Sequence, residues 1–189
     1  ENCLEPWIAQ CLKQCWFFLV QNKETGAWQI PLIGDVSPDC APEWLVGYLM
    51  EKIASSSPTP HNDTTGIEQG FQAFPESGWF RFDHGAITIF WHVSQSNMIH
   101  RATHGHADLC SFVLFHKGQP IVIDPGRLTY QDNEGCLAKH HNSLTVDGLD
   151  PFLYDRSQKF PPFYQNRFSK CDWKQVDRKF TFLISHTGF

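Results

Sequence analysis

The stretch Trp79-Phe80-Arg81-Phe82-Asp83-His84-Gly85-Ala86-Ile87-Thr88-Ile89-Phe90-Trp91-His92-Val93 decides the fold class of this chain. Aromatic and β-branched residues, which favour strands, fill both of its halves. Between the halves, Asp83-His84-Gly85 is a turn signal. The pattern therefore predicts a β-hairpin with strands over 79–82 and 86–93.

The sequence that follows repeats this pattern. Further strands are predicted at 108–115 and 120–123 around Lys117-Gly118, at 143–146 before Asp147-Gly148, and at 168–173 with 179–185. Gly118 and Gly126 are predicted to be turn glycines. A series of antiparallel hairpins predicts a sheet-based domain, an antiparallel β-sandwich, over residues 67–189.

The N-terminal third has a different pattern. Apolar residues recur at helical spacing over 4–22, and a second helix is predicted from near Pro42 to Ile53. Residues 55–66 are rich in Ser, Thr and Pro and form the predicted domain boundary. The expected fold is mainly β with an N-terminal helical segment, divided into domains 1–66 and 67–189.

Composition excludes several function classes. The net charge of −5, without a basic stripe, argues against a nucleic-acid partner. The sequence contains no stretch of about 18 apolar residues, so no membrane span is predicted. The seven cysteines include no C-x-x-C pair, so a zinc ribbon is excluded. Because the chain starts at Glu1 and stops directly after a strand-like run, it is expected to be a fragment of a longer protein.

The motif His104-Gly105-His106-Ala107-Asp108 carries the densest chemical signal. In an extended segment its two imidazoles and carboxylate would share one face. A catalytic type of zinc site needs three His or carboxylate ligands. His106, Asp124 and His141 could supply them, with His104 one pleat away and Asp108 as a fourth ligand or a support for His106. Spacing alone leaves open the alternative of hydrogen-bonded residues on a sheet face.

Other residues near these motifs add possible substrate contacts. Arg101, Arg127 and Lys139 could concentrate positive charge for an acidic ligand, and Tyr130 could donate a proton or serve as a structural hydroxyl. The sequence contains no G-x-G-x-x-G motif, P-loop or nucleophile elbow.

Four motifs together resemble the sheet domain of the heparinase II/III-like polysaccharide lyases. They are Phe74-Pro-Glu-Ser-Gly78, His104-Gly-His-Ala-Asp-x-x-Ser-Phe112, Ile123-Asp-Pro-Gly-Arg127 with Tyr130, and His141-Asn-Ser-x-Thr-Val-Asp-Gly148. Upstream, Pro31-Leu-Ile-Gly-Asp-Val-Ser-Pro-Asp39 with Pro42-Glu-Trp-Leu45 is similar to the end of that family's helical toroid.

The resemblance implies an (α/α) toroid packed on an antiparallel β-sandwich, and β-elimination at a uronic acid of heparan-type chains, other glycosaminoglycans, alginate or bacterial exopolysaccharides. It implies an active-site role for His104 and a structural metal, zinc or another divalent cation such as Ca²⁺, at His106, Asp124 and His141. Arg127, Tyr130 and Asn142 are the implied substrate contacts. The expected partners are an acidic polysaccharide and the toroid helices missing from this chain, and the expected location is periplasmic or secreted.

Two alternatives belong to other classes. A cupin-type metal enzyme also combines a β-sandwich with an H-x-H motif, but a Glu usually follows that motif, and here Asp108-Leu-Cys-Ser-Phe contains none. A non-catalytic carbohydrate-binding sandwich with a structural metal would bind glycans and leave them uncleaved.

Overall fold

The computed structural model describes residues 14–34, 69–93, 106–127, 134–150, 169–177 and 179–186, with Trp7, Cys11, Gly47 and Glu51 as single positions. Nine strands lie in these ranges: β1 Val20–Gln21, β2 Trp28–Gln29, β3 Gln69–Phe74, β4 Trp79–His84, β5 Ile87–His92, β6 Phe112–His116, β7 Gln119–Val122, β8 Ser169–Val176 and β9 Lys179–His186. Short 3-10 helices cover Trp16–Phe18, Pro75–Ser77, Glu134–Cys136 and Ala138–His140.

Strands β3 to β7 form an antiparallel meander in sequence order, and β1–β2 and β8–β9 form separate hairpins. The prediction of a mainly β, antiparallel architecture is confirmed. The hairpin predicted at 79–93 is present, but its turn lies one to two residues later, since His84 pairs with Ile87. Asp83 stays in β4 because its carboxylate accepts hydrogen bonds from Arg81 and Thr88, which hold it within the sheet.

The meander buries apolar side chains on both faces. On one face, called face A, Phe90, Val113 and Phe115 pack against Phe17, Val20 and Ile33 of the N-terminal segment. On the opposite face, face B, Phe80 and Val93 pack against Cys171 of β8, with Phe182 of β9 beside them. Alternation along β4 and β5 explains this division, because neighbouring residues of a strand point to opposite faces.

A buried ion pair attaches the N-terminal segment to face A. The Arg81 guanidinium binds the Asp83 carboxylate at 2.7 Å and donates from Nη1 to the carbonyls of Phe17 and Leu19 at 2.7 and 2.9 Å. It also lies 5.1 Å from the centre of the Phe90 ring. The two hydrogen bonds from Nη1 satisfy backbone carbonyls at the C-terminal end of the 3-10 helix Trp16–Phe18.

The predicted helix over 4–22 is wrong in its C-terminal part. Cys15 is helical, but Val20–Gln21 is a strand paired with Trp28–Gln29. The Asn22 side chain accepts hydrogen bonds from the backbone N–H groups of Glu24 and Thr25 and so favours a tight turn at this point. Of the second predicted helix, Gly47 and Glu51 are helical. Its remaining residues and the boundary at 55–66 lie outside the described residues.

The strand predicted at 143–146 is also wrong. This segment is irregular and carries one isolated bridge between Val146 and Leu149. The turn at Asp147-Gly148 is present, with positive φ at both residues. The hairpins at Lys117-Gly118 and at β8–β9 are confirmed. No helix in the part of the chain that the structure describes is long and apolar enough to cross a membrane.

Candidate metal centre

Three loops meet where β6 begins and β7 ends. Residues 106–111 lead into β6, residues 123–127 leave β7, and residues 141–143 follow the 3-10 helix Ala138–His140. A strand was predicted to begin at Asp108, and that prediction is wrong for residues 108–111. Ser111 N–H donates to the Asp108 carbonyl, and Cys110 has φ +62, so 108–111 is a tight turn.

The three predicted metal ligands come together in these loops. His106 Nδ1 lies 3.1 Å from His141 Nε2, and His141 Nδ1 lies 2.9 Å from each carboxylate oxygen of Asp124. All three side chains are buried; Asp124 is only 2% exposed. The loops thus place two imidazoles and one carboxylate in a single buried row of hydrogen-bonded side chains.

Two further donors fix the Asp124 carboxylate. Ser111 Oγ donates to Oδ2 at 2.7 Å, and the backbone N–H of Gly126 donates to Oδ1 at 2.9 Å. An ionised carboxylate only accepts, so His141 Nδ1 carries the proton of their hydrogen bond. In the neutral ring, His141 Nε2 is then the basic nitrogen, and it faces His106.

The electrostatics of this chain favour a positive charge at His141. Burial alone would lower the pKa of His141, but the hydrogen bond that His141 donates to Asp124, and the negative charge of Asp124, act in the opposite direction. The charge of Asp108 and the backbone of Gly135 add to this effect, and the pKa of His141 is raised above its ordinary value.

The two facing nitrogens lie at hydrogen-bond distance, which is also compatible with two ligands of one zinc ion. Two nitrogen ligands of a tetrahedral zinc with bonds of about 2.0–2.1 Å lie about 3.3 Å apart, close to the 3.1 Å between His106 and His141. Asp124 bonds the opposite nitrogen of His141, and the two nitrogens of one ring point in diverging directions. In the described residues, no group of three or more His, Cys, Asp or Glu side chains converges as a metal cage.

The remaining predicted site residues divide into two groups. His104, Tyr130 and Arg101 lie outside the described residues. Arg127 is buried at 8% exposure, Lys139 is exposed, and Asn142 donates through Nδ2 to the carbonyls of Phe112 and Ile123 at 2.7 and 2.8 Å. Asn142 therefore ties its loop to the ends of β6 and β7.

Sequence reasoning assigned no role to Ser111 or Ser143. Ser111 contacts Asp124, and Ser143 Oγ donates to the Leu109 carbonyl at 2.6 Å. The signal for Ser111 was its position in the same motif as His106, three residues after Asp108. That position indicates that Ser111 lies near the site. Its hydrogen bond to Asp124, 13 residues away, depends on how β6 pairs with β7.

Comparisons with known proteins agree with the architecture. The family model described as Heparinase II/III-like, C-terminal, matches residues 67–188. Among solved structures, the chain is similar to one titled "Crystal Structure of Heparinase III", with a TM-score of 0.57 and 17% identity over 79% of this chain. The match covers 27% of that protein, and at this identity the likeness shows the fold alone. No curated protein sequence matches this chain.

Proposed function

Since this chain belongs to the heparinase II/III-like family, we propose that it is part of a polysaccharide lyase that cleaves a uronic-acid-containing polysaccharide by β-elimination. The observation that supports this most is the buried His106–His141–Asp124 chain, because the motif that supplies His106 also supplies His104. In the proposed reaction a base removes the C5 proton, a C4–C5 double bond forms, and the 4-linked sugar leaves with its oxygen.

The chain's own residues have distinct proposed roles. His104 transfers a proton at the reacting sugar, and Tyr130 contacts the substrate. Arg127 and Asn142 were predicted to contact substrate as well, but the burial of Arg127 and the two carbonyl contacts of Asn142 favour a supporting role for both. Neutralising the uronate carboxylate lowers the barrier to loss of the C5 proton, so positive charge near the substrate is required.

A zinc ion is the proposed cofactor, held by His106 Nδ1 and His141 Nε2. Asp124 stays the proposed third ligand; without metal, its carboxylate accepts a hydrogen bond from His141 Nδ1. Nitrogen donors favour zinc over Ca²⁺, which prefers oxygen. Bound there, zinc would cross-link the loops 106–111 and 141–143, next in sequence to His104.

The proposal also includes the rest of the protein. Residues 1–66 are proposed to be the C-terminal end of the helical toroid, and the substrate cleft is proposed to lie between the toroid and the sheet domain. Since this chain spans about a quarter of heparinase III, toroid helices outside it would supply further active-site residues. A periplasmic or secreted location, with an acidic polysaccharide as substrate, belongs to the same proposal.

Metal analysis of the purified chain tests the cofactor. We expect about one zinc per wild-type chain, none after His106→Ala or His141→Ala, and weaker retention after Asp124→Ala. His116→Ala is the matched control, because His116 lies exposed on β6, away from the site. Zinc retained in both histidine variants, or no zinc in the wild type, contradicts the assignment.

An ultraviolet assay for unsaturated uronate products tests the reaction. The 189-residue chain should show little or no turnover, whereas a longer protein that includes the toroid should cleave its polysaccharide and lose activity after His104→Ala. Robust turnover by the 189 residues would refute the need for the toroid. Glycan binding without cleavage by the longer protein would instead favour the non-catalytic carbohydrate-binding alternative.

A further inference from the structure

A cavity of about 620 Å³ opens on face B of the meander. Side chains of β4, β5, β6 and β9 form its walls, together with the loop 142–144. Its volume lies within the range of about 300–1,000 Å³ that is typical of small-molecule sites. Five of its lining side chains are aromatic: Phe82, Trp91, Phe112, Phe180 and Phe182.

The aromatic rings of this wall contact one another edge to face. The Phe182 ring centre lies 4.9 Å from that of Trp91 and 5.5 Å from that of Phe82, at interplanar angles of 73° and 76°. Phe180 meets Phe82 in the same way, at 5.1 Å and 84°. An aromatic ligand can extend such a network through further edge-to-face contacts, which an aliphatic ligand cannot make.

The polar side chains of the wall have already used their strong hydrogen-bond donors. Trp91 Nε1 donates to a backbone carbonyl at 2.9 Å, Asn142 Nδ2 to two carbonyls at 2.7 and 2.8 Å, and Ser143 Oγ to one at 2.6 Å. The side-chain groups that remain for a ligand are oxygens that accept, on Asn142 and Ser143. A ligand that fits them brings its own donor.

The wall carries no charge among its described residues. The Cys110 thiol, whose pKa burial raises to about 11, stays neutral at physiological pH. A buried charge without an opposite partner is costly, so an ion of either sign is disfavoured here. An anion is disfavoured further, because the available polar groups are acceptor oxygens.

The mouth of the cavity is apolar as well. Leu144 is 56% exposed and Phe112 is 37% exposed, although both are large hydrophobic side chains. Exposed apolar side chains that surround a concave surface mark a ligand site, because a bound apolar molecule would remove them from water.

We propose that this cavity binds an uncharged aromatic molecule that carries a hydroxyl or N–H donor, with its ring against Trp91 and Phe182 and its donor on the side-chain oxygen of Asn142 or Ser143. This site goes beyond the proposed lyase function. It requires neither a bound metal nor cleavage of a polysaccharide, so it can fail or succeed independently of both.

A matched pair of fluorescent probes tests the chemical class. N-phenyl-1-naphthylamine is neutral and has one N–H donor, and 8-anilino-1-naphthalenesulfonate has the same ring skeleton with an added sulfonate. The 189-residue chain should bind the neutral probe saturably, at about one probe per chain, and at least about 10-fold more tightly than the sulfonate. Equal affinities, tighter binding of the sulfonate, or no saturable binding of the neutral probe overturns the proposal.

A pair of exposed leucines in one loop locates the bound probe. Leu144→Asp places a charge at the mouth and should weaken binding of the neutral probe at least about 10-fold. Leu149→Asp is the matched control, because Leu149 is 58% exposed and does not line the cavity. It should leave the affinity within about twofold. An equal effect of the two changes overturns the proposal.

A measurement on the wild-type chain covers the case in which Leu144→Asp does not fold. Nuclear Overhauser contacts should connect the ring protons of the neutral probe with the methyl groups of Leu144 and of Ile89, which also lines the cavity. Contacts with the methyl groups of Leu183 instead, which is 63% exposed on β9 and outside the wall, overturn the proposal.

The longer protein that includes the toroid decides whether the cavity remains open to a ligand. Saturable binding of the neutral probe to that protein, with the same loss after Leu144→Asp, supports the proposal. Binding to the 189-residue chain alone would show that another part of the protein fills the cavity, and it would overturn the proposal.

Discussion

At Gly118 the fold leaves no room for a single added carbon. The residue has φ +76, and a Cβ built on it would lie 2.6 Å from the Cα of Asn22. The turn Lys117-Gly118 carries hydrogen bonds to the β1–β2 hairpin, from Lys23 N–H to the Lys117 carbonyl and from the Gln29 amide to the Gly118 carbonyl. The missing side chain lets the backbones of two hairpins touch.

We therefore expect Gly118→Ala to destabilise the chain by about 2–4 kcal/mol, since it combines backbone strain with a clash against backbone atoms that cannot move cheaply. Gly85→Ala is the matched control. Gly85 also has positive φ, +56, in a hairpin turn, but nothing lies within 4 Å of its added Cβ. It should cost about 1–2 kcal/mol. Urea unfolding midpoints measure both, and equal losses would show that the close approach contributes nothing.

Cys110 should react slowly with alkylating reagents. Burial, with the neighbouring Cys171 and the charge of Asp108, raises the pKa of its thiol to about 11. At pH 8 about one thiol in a thousand is then ionised, against about a quarter for an unperturbed cysteine. Iodoacetamide should modify native Cys110 at least about 100-fold more slowly than urea-unfolded Cys110, as followed by peptide mass mapping.

The pH profile of the same reaction gives the control for Cys110. The native rate should rise about tenfold per pH unit until it levels off near the pKa of about 11, whereas the unfolded chain should level off near pH 8.5. A native rate that levels off below pH 9 would contradict the raised pKa.

The members of the candidate site could be predicted at the level of single residues, but their connections could not. Residue type and separation made His106, Asp124 and His141 candidates for one site, and the structure brings their side chains within hydrogen-bond distance of one another. Which nitrogen of His141 meets Asp124 depends on the ring orientation, which three separate loops determine together. The contact of Ser111 with Asp124 has the same origin and was therefore missed.

At the scale of elements, the Arg81–Asp83 pair connects two parts of the chain that are far apart in sequence. Arg81 stands on β4, and the carbonyls that it binds belong to residues 17 and 19. Its charge is compensated within the same strand by Asp83, which Thr88 of β5 also contacts at 2.7 Å. One guanidinium thus secures the N-terminal segment to face A.

Arg81→Met should cost about 3–5 kcal/mol of unfolding free energy, because it leaves the buried Asp83 carboxylate without its charged partner. The double variant Arg81→Met/Asp83→Leu should cost less than the sum of the two single changes. Urea unfolding gives these values, and amide hydrogen exchange should show faster opening of residues 17–22 in Arg81→Met. Additive costs in the double variant would refute the coupling.

Local turn signals explain which elements the sequence could predict. The hairpins of β4–β5, β6–β7 and β8–β9 each have a short turn between runs of strand-forming residues, so a few neighbouring residues determine them. The β1–β2 hairpin has strands of only two residues, too short to show alternation. The apolar residues up to residue 22 also fit the helical spacing of the preceding segment, and for this reason a helix was predicted to extend to residue 22.

At the scale of the whole molecule, the meander is covered on both faces, by the N-terminal segment on face A and by β8–β9 on face B. The candidate metal centre lies at one end of β6 and β7, in loops that no strand pairing connects directly. A metal there would join loops that are otherwise held by individual hydrogen bonds, and its binding energy would add to the stability of the folded chain.

Zinc at about 100 times its dissociation constant should therefore raise the unfolding free energy by about 2.7 kcal/mol. Thermal melts with and without zinc measure this effect, and a chelator should reverse it. His106→Ala should abolish the zinc-dependent shift, and His116→Ala should preserve it. A shift of equal size in both variants would place the zinc elsewhere on the protein.

In the five-stranded sheet each of the strands β3 to β7 neighbours the next one along the chain, and this order has a consequence for how the protein is made. On the ribosome each strand can pair as soon as it emerges, without waiting for a distant partner. His106 and His141, in contrast, are 35 residues apart, and the second emerges only after β7 has left the tunnel. The proposed zinc site can therefore be complete only after β3 to β7 have emerged, whereas β8 and β9, which cover face B, emerge later still.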